Sequence, residues 1–398
     1  MTSRTQTTFA PPVMQARRWL ADVTFSEDTP LINVSQAAPV DPPPEALRDA
    51  MAEALKDPET HLYGPVLGLP ALRDALAARW SAQYKGRVKP ENVAITSGCN
   101  QAFAATIAAI CSDGDTVILP TPWYFNHKMW LDMSGVTAVA LKTGPDLIPD
   151  VQAAKALITD TTRAIALVSP NNPGGVEYPA ETLQAFFDLA RAHGIKLIVD
   201  EIYRDFDSRD GPPHGLVSDP NWGDTLIQLY SFSKAYRLTG HRVGAIFASP
   251  DLLSEVEKFL DTVAICPSQL GQKAALWGVE HLDDWLDRQR REILDRRAAI
   301  HDNMPLLTAK GWRLMGCGAY FAYLEHPFAA SSADLAPKLV SAIGVLALPG
   351  TMFTPADDSS GERQIRIAFA NVDRAEITTL FARLASLDWP LATPTSPA

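Results

Sequence analysis

From Val93 to Ala248 short, almost wholly apolar runs alternate with longer amphipathic stretches. VAIT (Val93 to Thr96) precedes the Ala-rich QAFAATIAAIC, and TVIL (Thr116 to Leu119) and VTAVAL (Val136 to Leu141) follow. AIALV (Ala164 to Val168) leads into ETLQAFFDLARAH. KLIVD (Lys196 to Asp200), LIQLYS (Leu226 to Ser231) and RVGAIFA (Arg242 to Ala248) complete the series. A run that is apolar at nearly every position marks a strand covered on both faces, as in a parallel sheet. Strands in alternation with helices predict right-handed βαβ units and an α/β fold built on a doubly wound, mostly parallel sheet.

Past Pro250 the pattern changes. GVEHLDDWLDRQRREILDRRAAIHDNM is too long and too charged for a buried crossover, and it predicts a spacer helix linking two domains. Short strands follow it, AYFAYLE (Ala319 to Glu325), VLALP (Val345 to Pro349) and QIRIAFA (Gln364 to Ala370), with helices between them. That combination predicts a smaller α+β domain. The segment up to about Asp41, Pro-rich at VDPPP, is expected to drape over both domains. The expected division gives residues 1–45 to an N-terminal arm and part of the small domain, and 46–280 to the large, ligand-binding domain. Residues 281–390 form the linker helix and the small C-terminal domain, and 391–398 a disordered tail. No internal repeat of fixed period is present.

Composition narrows the classes. At roughly 150 residues per domain, 398 residues allow two to three domains. With 46% hydrophobic and 20% charged residues the chain has an ordinary globular balance and needs no disulfide staple. The net charge of −11, without any basic run, argues against a nucleic acid or an anionic membrane surface as partner. Cys99, Cys111, Cys266 and Cys317 show no CxxC or zinc-finger spacing, so neither a metal site nor a disulfide framework is expected. The opening MTSRTQTTFAPPVMQARRWL lacks the apolar core of a signal peptide, and no stretch of about 18 apolar residues is available to span a bilayer. The expectation is a soluble, cytoplasmic protein of a reducing compartment.

In open α/β sheets ligands bind beyond the carboxyl ends of the strands, so the residues there carry the chemistry. Thr96-Ser97-Gly98-Cys99-Asn100 closes one strand and opens a helix. It is either a plain turn or a place where backbone N–H groups meet an anion at a helix N-terminus. Ser169-Pro170-Asn171-Asn172-Pro173-Gly174-Gly175 is either a turn or a way to aim an amide into the crevice. Asp200, in Asp200-Glu201-Ile202-Tyr203, ends a strand that is apolar up to it. Such a carboxylate is either solvated or set against a cation or hydrogen-bond donors. Ser231-Phe232-Ser233-Lys234 ends the next run. There Lys234 is either a surface lysine or an amine whose desolvation makes it a carbonyl-seeking nucleophile. Arg242 begins the following run and brings a fixed positive charge toward the two serines. Each motif is ambiguous alone; their order along the strands is not. A phosphate cradle, an amide, an acid with a tyrosine three positions on and a lysine flanked by serines describe a site for pyridoxal phosphate.

These motifs resemble those of the fold-type I pyridoxal-phosphate enzymes, specifically the class I/II aminotransferases, over a span from about Leu31 to Leu387. SFSKAYRLTGHRVG is similar to their lysine signature. The resemblance implies that Lys234 forms the Schiff base with the cofactor and that Ser231, Ser233 and Arg242 contact its phosphate. SPNNPGG, similar to SPNNPTG, implies that Asn172 reaches the ring hydroxyl oxygen; DEIY implies Asp200 at the pyridine nitrogen and Tyr203 at the ring oxygen. SGCNQA implies a phosphate turn carried by Gly98, Cys99 and Asn100, and Pro122-Trp123-Tyr124 implies that Tyr124 stacks on the ring. Tyr63, in YGPVLG, is implied to reach the phosphate of a neighbouring subunit, hence a homodimer with shared active sites. Arg366, in QIRI, is implied to clamp the substrate α-carboxylate bidentately, beside Asn172. The chain departs from the family at Gly175, in place of the usual Thr-Gly, and at Ala37, where many relatives have Gly next to the substrate carboxylate.

The reaction so implied moves an amino group between an L-amino acid and a 2-oxo acid, with Lys234, Asp200 and Tyr203 as the catalytic residues. The alternatives are a β- or γ-eliminating lyase or a cyclase, which the same fold and cofactor also serve. Dicarboxylate-specific relatives place an extra arginine near the stretch DTVAICPSQLGQ, and none occurs there, which argues against aspartate as preferred donor. Trp19, Phe25, Trp123, Tyr124 and Phe353 either line an apolar or aromatic pocket or are packing. Arg17 and Arg18 lie on the arm within possible reach of an acidic substrate, and His127 and His241 read as supporting or structural residues.

Overall fold

The computed structural model describes residues 3–21 and 23–393. Its strands are, in chain order, β1 (Ile32–Asn33), β2 (Val93–Thr96), β3 (Thr116–Thr121), β4 (Thr137–Lys142), β5 (Thr162–Val168), β6 (Lys196–Asp200), β7 (Leu226–Ser231) and β8 (Gly244–Phe247). Then come β9 (Arg313–Gly318), β10 (Phe321–Glu325), β11 (Val345–Leu346), β12 (Leu348–Pro349) and β13 (Gln364–Ala368).

Strands β2 to β8 form one seven-stranded sheet in the order β2-β8-β7-β6-β5-β3-β4. β4, β3, β5, β6 and β7 run parallel, while β8 is antiparallel to both β7 and β2. The side chains show why these runs lack alternation. Along β6, Leu197 and Val199 join one apolar cluster, with Trp80 and Phe186 from the helices Pro70–Gln83 and Ala180–Ala192. Ile198 joins the cluster on the other face, with Phe103 and Val256 from the helices Cys99–Ile110 and Pro250–Ala264. Both faces are apolar because both are covered.

A second sheet, β12-β13-β10-β9, is antiparallel and packs with Ile293, Ile300, Leu380 and Phe381 into its own core. The charged stretch expected as one spacer resolves into two helices, Gln269–His281 and the 26-residue Asp283–Thr308, with Leu282 between them. Arg374 ties the second of these to the helix Arg374–Ala385 through Asp295 (2.7 Å) and Asp302 (2.8 Å).

The N-terminal segment is stitched into this second region. β1 pairs in parallel with β11, and the amide of Ala368 donates to the carbonyl of Val34 at 2.8 Å. That pairing fixes Ser35, Gln36 and Ala37 beside the carboxyl ends of the large sheet. The preceding helix Pro12–Arg18 buries Ala16 in a cluster with Phe125, Leu348 and Phe353. At the other end the expected tail is held at first, since Leu391 bridges Phe328 and the amide of Ala392 donates to the carbonyl of Pro327 at 2.9 Å. Residues 394–398, the rest of that tail, lie outside the described residues. No helix among the described residues is long and apolar enough to cross a membrane.

Candidate active site

One cavity opens at the carboxyl ends of β5, β6 and β7 and is lined by Ala37, Cys99, Asn100, Tyr124, Asn172, Asp200, Tyr203, Lys234 and Arg366. The residues singled out in separate motifs therefore share a single space. Gly98, Ser231, Ser233, Arg242 and Tyr63 are not among the lining residues; Gly98 and Ser233 adjoin the lining residues Cys99 and Lys234 in the chain, and Arg242 contacts Ser233.

Lys234 is delivered by β7, whose six residues are all buried. Ser231 ends that strand and caps the short helix Phe232–Ala235 by accepting from the amide of Ser233 at 3.2 Å. Lys234 Nζ donates to the carbonyl of Ala37 at 2.5 Å. Burial, followed by the charges of Arg242 and Arg366, brings its amine down to about 8. An amine of that affinity is partly neutral near pH 7.5 and able to attack a carbonyl.

The anion cradle is built around Gly98, the N-cap of the helix Cys99–Ile110, held at φ +86. A Cβ there would lie 2.2 Å from Arg242 Nη2, so only glycine lets the guanidinium close over the turn. Arg242 adopts a left-handed conformation (φ 53) between a short helical turn and β8, rather than opening the strand as its sequence position suggests. Its Nη1 donates to Ser233 Oγ at 3.5 Å and to the carbonyl of Thr239 at 3.0 Å. A helix N-terminus, a guanidinium and a serine hydroxyl at one point form the donor set a phosphate dianion requires. The residues present therefore fit pyridoxal phosphate.

Asp200 is buried at the end of β6 and surrounded by donors. Its Oδ2 lies 3.2 Å from His127 Nε2, and its Oδ1 accepts from the amide of Ile202 at 3.1 Å and from Cys99 Sγ at 3.5 Å. His127 stacks flat on Phe103, centroids 3.9 Å apart, and meets the edge of Tyr124 at 5.0 Å. Tyr203 packs against Tyr320 and Phe321, and burial pushes its phenol well above the usual range.

At the far end Arg366 is buried on β13 between Phe321 and Phe353, each 5.0 Å from its guanidinium. Nη1 donates to Asn172 Oδ1 at 3.0 Å, Nη2 donates to the carbonyl of Ser35, and Nε has no protein partner. Burial pulls this guanidinium down to about 10. A buried cation with unmatched N–H groups and, among the described residues, no ion-pair partner is arranged to receive an anion. Asn172 is brought there by the loop ending in Gly175, which sits at φ +72. A Cβ on Gly175 would lie 2.5 Å from the carbonyl of Phe321, so a glycine is what lets the loop meet β10. Set against SPNNPTG, the position that departs from the family is Gly174, and Gly175 matches the family glycine.

Residues outside the expected set also line the cavity: Val13, Gln36, Phe125, Asn126, Val168 and Ile202. Asn126 Nδ2 donates to the Tyr124 hydroxyl at 2.8 Å and so fixes that ring. Its place directly after Trp123-Tyr124-Phe125 was the available signal. Arg17 donates to Gln36 Oε1 at 2.7 Å, which puts the arm at the cavity's edge. Of the aromatic candidates, Tyr124 alone faces this cavity. Trp19 and Trp123 line a second one, of about 720 Å³, on the opposite side of the helix Pro12–Arg18, Phe353 packs on Arg366, and Phe25 packs in the cluster beneath the arm. Tyr63 is 78% exposed, next to exposed Leu62, Val263 and Ile265, and the amide of Gly64 donates to Cys266 Sγ at 3.3 Å.

Comparison with known proteins gives the family and the fold. The family described as Aminotransferase class I and II matches residues 29–384. The chain is similar to an aromatic aminotransferase of Arabidopsis thaliana, 29% identical over 96% of this chain and 95% of that one. It is also similar to a valine–pyruvate aminotransferase of Mycobacterium tuberculosis, 30% identical over 90% and 92%. Among solved structures, the aspartate aminotransferase of Thermus thermophilus with maleate superposes with a TM-score of 0.86 at 25% identity, covering 96% of this chain and 98% of that one.

Proposed function

The chain belongs to the class I and II aminotransferases, pyridoxal-phosphate-dependent transaminases, and from that premise we propose how its own residues carry the reaction. The observation that supports the reading best is that Lys234, Asp200 and Arg366 face one cavity, with the Lys234 amine brought to about 8. When bound, pyridoxal phosphate supplies an aldehyde for the amino group and a ring that takes up the electron pair left at Cα.

Gly98, Cys99 and Asn100 at the helix N-terminus, with Ser231, Ser233 and Arg242, hold the phosphate. Asp200 places its negative charge at the pyridine nitrogen, Tyr203 and Asn172 reach the ring oxygen, and Tyr124 covers a ring face. Lys234 Nζ is the amine that would hold the cofactor aldehyde, and as a free amine it would take up the proton from substrate Cα. Arg366 and Asn172 grip the α-carboxylate near the backbone of Ala37, which sets the Cα–H bond toward Lys234. Val13, Phe125, Val168 and Ile202 make most of the remaining wall apolar, with Gln36 and Asn126 as its polar members, which supports a donor with a largely apolar side chain.

Leu62, Tyr63, Val263 and Ile265 form an exposed apolar patch on two segments joined by the Gly64–Cys266 contact. Such a patch suits a subunit interface, and a homodimer would carry Tyr63 toward the phosphate of the second site. The four unpaired cysteines suit a reducing compartment such as the cytoplasm.

The test is product balance under turnover. With an amino acid and a 2-oxo acid supplied together, the enzyme should form one new amino acid for each donor consumed. Release of ammonia in place of a new amino acid would overturn the reading in favour of an eliminating lyase.

A further inference from the structure

Cys99 opens the helix Cys99–Ile110, and its role at the phosphate cradle falls to its backbone N–H. The side chain turns elsewhere. Its Sγ lies 3.5 Å from Asp200 Oδ1, and both residues line the same cavity. Burial and the charge of Asp200 push the thiol well above its usual range, so the sulfur stays protonated and meets a carboxylate only as a donor. Oδ1 thus carries two donors, the amide of Ile202 and this thiol, while Oδ2 faces His127. The amide lies on the Asp200 loop itself and His127 comes from the helix Phe125–Ser134, whereas Cys99 is anchored in the turn that holds the other end of the cofactor.

We propose that Cys99 is a positioning residue: its thiol hydrogen bond to Oδ1 fixes the plane of the Asp200 carboxylate relative to the phosphate cradle. Ring-nitrogen contact and phosphate grip are then set by a single residue, its backbone serving one and its side chain the other. The inference rests on Asp200 being the acid at the ring nitrogen.

Four variants of the holoenzyme separate the hydrogen bond from packing. C99S keeps a donor at similar size, C99A removes donor and volume, and C99V removes the donor but keeps bulk. C99S, which keeps a donor, should lose clearly less kcat and cofactor affinity than C99A or C99V. C99A and C99V should each lower kcat and weaken cofactor binding by roughly fivefold, with the KM of the amino acid unchanged. D200N, the fourth, should be severely impaired, and C99A added to it should cost nothing further. Wild-type behaviour of C99V, or a fall in C99S equal to that of C99A, would overturn the role of the thiol. A near-normal D200N would overturn the assignment of Asp200 and the inference built on it; a crippled D200N with silent Cys99 variants would overturn the inference alone.

Discussion

His127 Nε2 stands 3.2 Å from Asp200 Oδ2, both side chains almost wholly buried. A carboxylate at the end of an apolar strand needs polar partners, and beside the Ile202 amide and Cys99 thiol that donate to Oδ1, this imidazole, pinned flat on Phe103, stands against Oδ2. It does not line the cavity and meets the site through Asp200, which gives it a supporting place in the proposed reaction.

Replacing His127 with Phe should therefore lower kcat by roughly tenfold, the worth of one close polar contact to a charged group, while the KM of the amino acid stays put. Asp200→Ala should be far more damaging, because the ring nitrogen loses its counter-charge. Steady-state kinetics on the two variants check this, and equal losses would contradict the supporting role of His127.

Lys234 sets a pH dependence on cofactor capture. Its amine is lowered to about 8, and only the neutral form attacks an aldehyde. As pH rises through 8 the neutral fraction grows, so the rate at which cofactor-free protein takes up pyridoxal phosphate should rise from pH 6.5 and level off above about 9. Stopped-flow absorbance across that range reads it directly. A Lys234→Ala variant should keep its fold and retain some cofactor binding but show no turnover.

In the proposed role, Arg366 grips a substrate carboxylate by planarity as well as charge. Arg366→Lys keeps the charge and loses the fork, and should lower kcat/KM by about a hundredfold, ~3 kcal/mol, without a matching loss of cofactor affinity. Kinetics with one amino acid, together with a cofactor titration, separate the two effects.

The apolar patch around Tyr63 leads to an expected assembly state. Wild-type protein should sediment as a dimer, and Ile265→Asp, which charges the patch, should shift it toward monomer and lower cofactor affinity. Sedimentation equilibrium with cofactor titration measures both.

How much of this was legible in the sequence depends on where the determining contacts lie. The strand ends at Asp200, Ser231 and Val168 were readable because a strand covered on both faces is apolar until it reaches the site, so the first polar residue stands out. β9 was not readable, since its glycines pack against the Gly174–Gly175 loop and carry no β signal of their own. The break at Leu282 was hidden because the charge pattern runs on through it. Arg242 was assigned to the site, yet the place of its guanidinium against Gly98, some 140 residues away in the chain, is set by tertiary packing that no local pattern shows. His127 is the clearest case. A histidine in a helix is ambiguous by sequence, and its contact with Asp200 comes from how the helix Phe125–Ser134 lies against the helix Cys99–Ile110.

The most direct test of amino transfer is a single half-reaction. Holoenzyme is mixed with one L-amino acid and no acceptor, and the released 2-oxo acid and ammonia are counted while the absorbance of the bound cofactor is followed. Transamination through Lys234 predicts one equivalent of 2-oxo acid per active site, a matching absorbance change that then stops, no ammonia, and reversal on adding a 2-oxo acid. Continued release of oxo acid together with ammonia, with the cofactor absorbance unchanged, would contradict it.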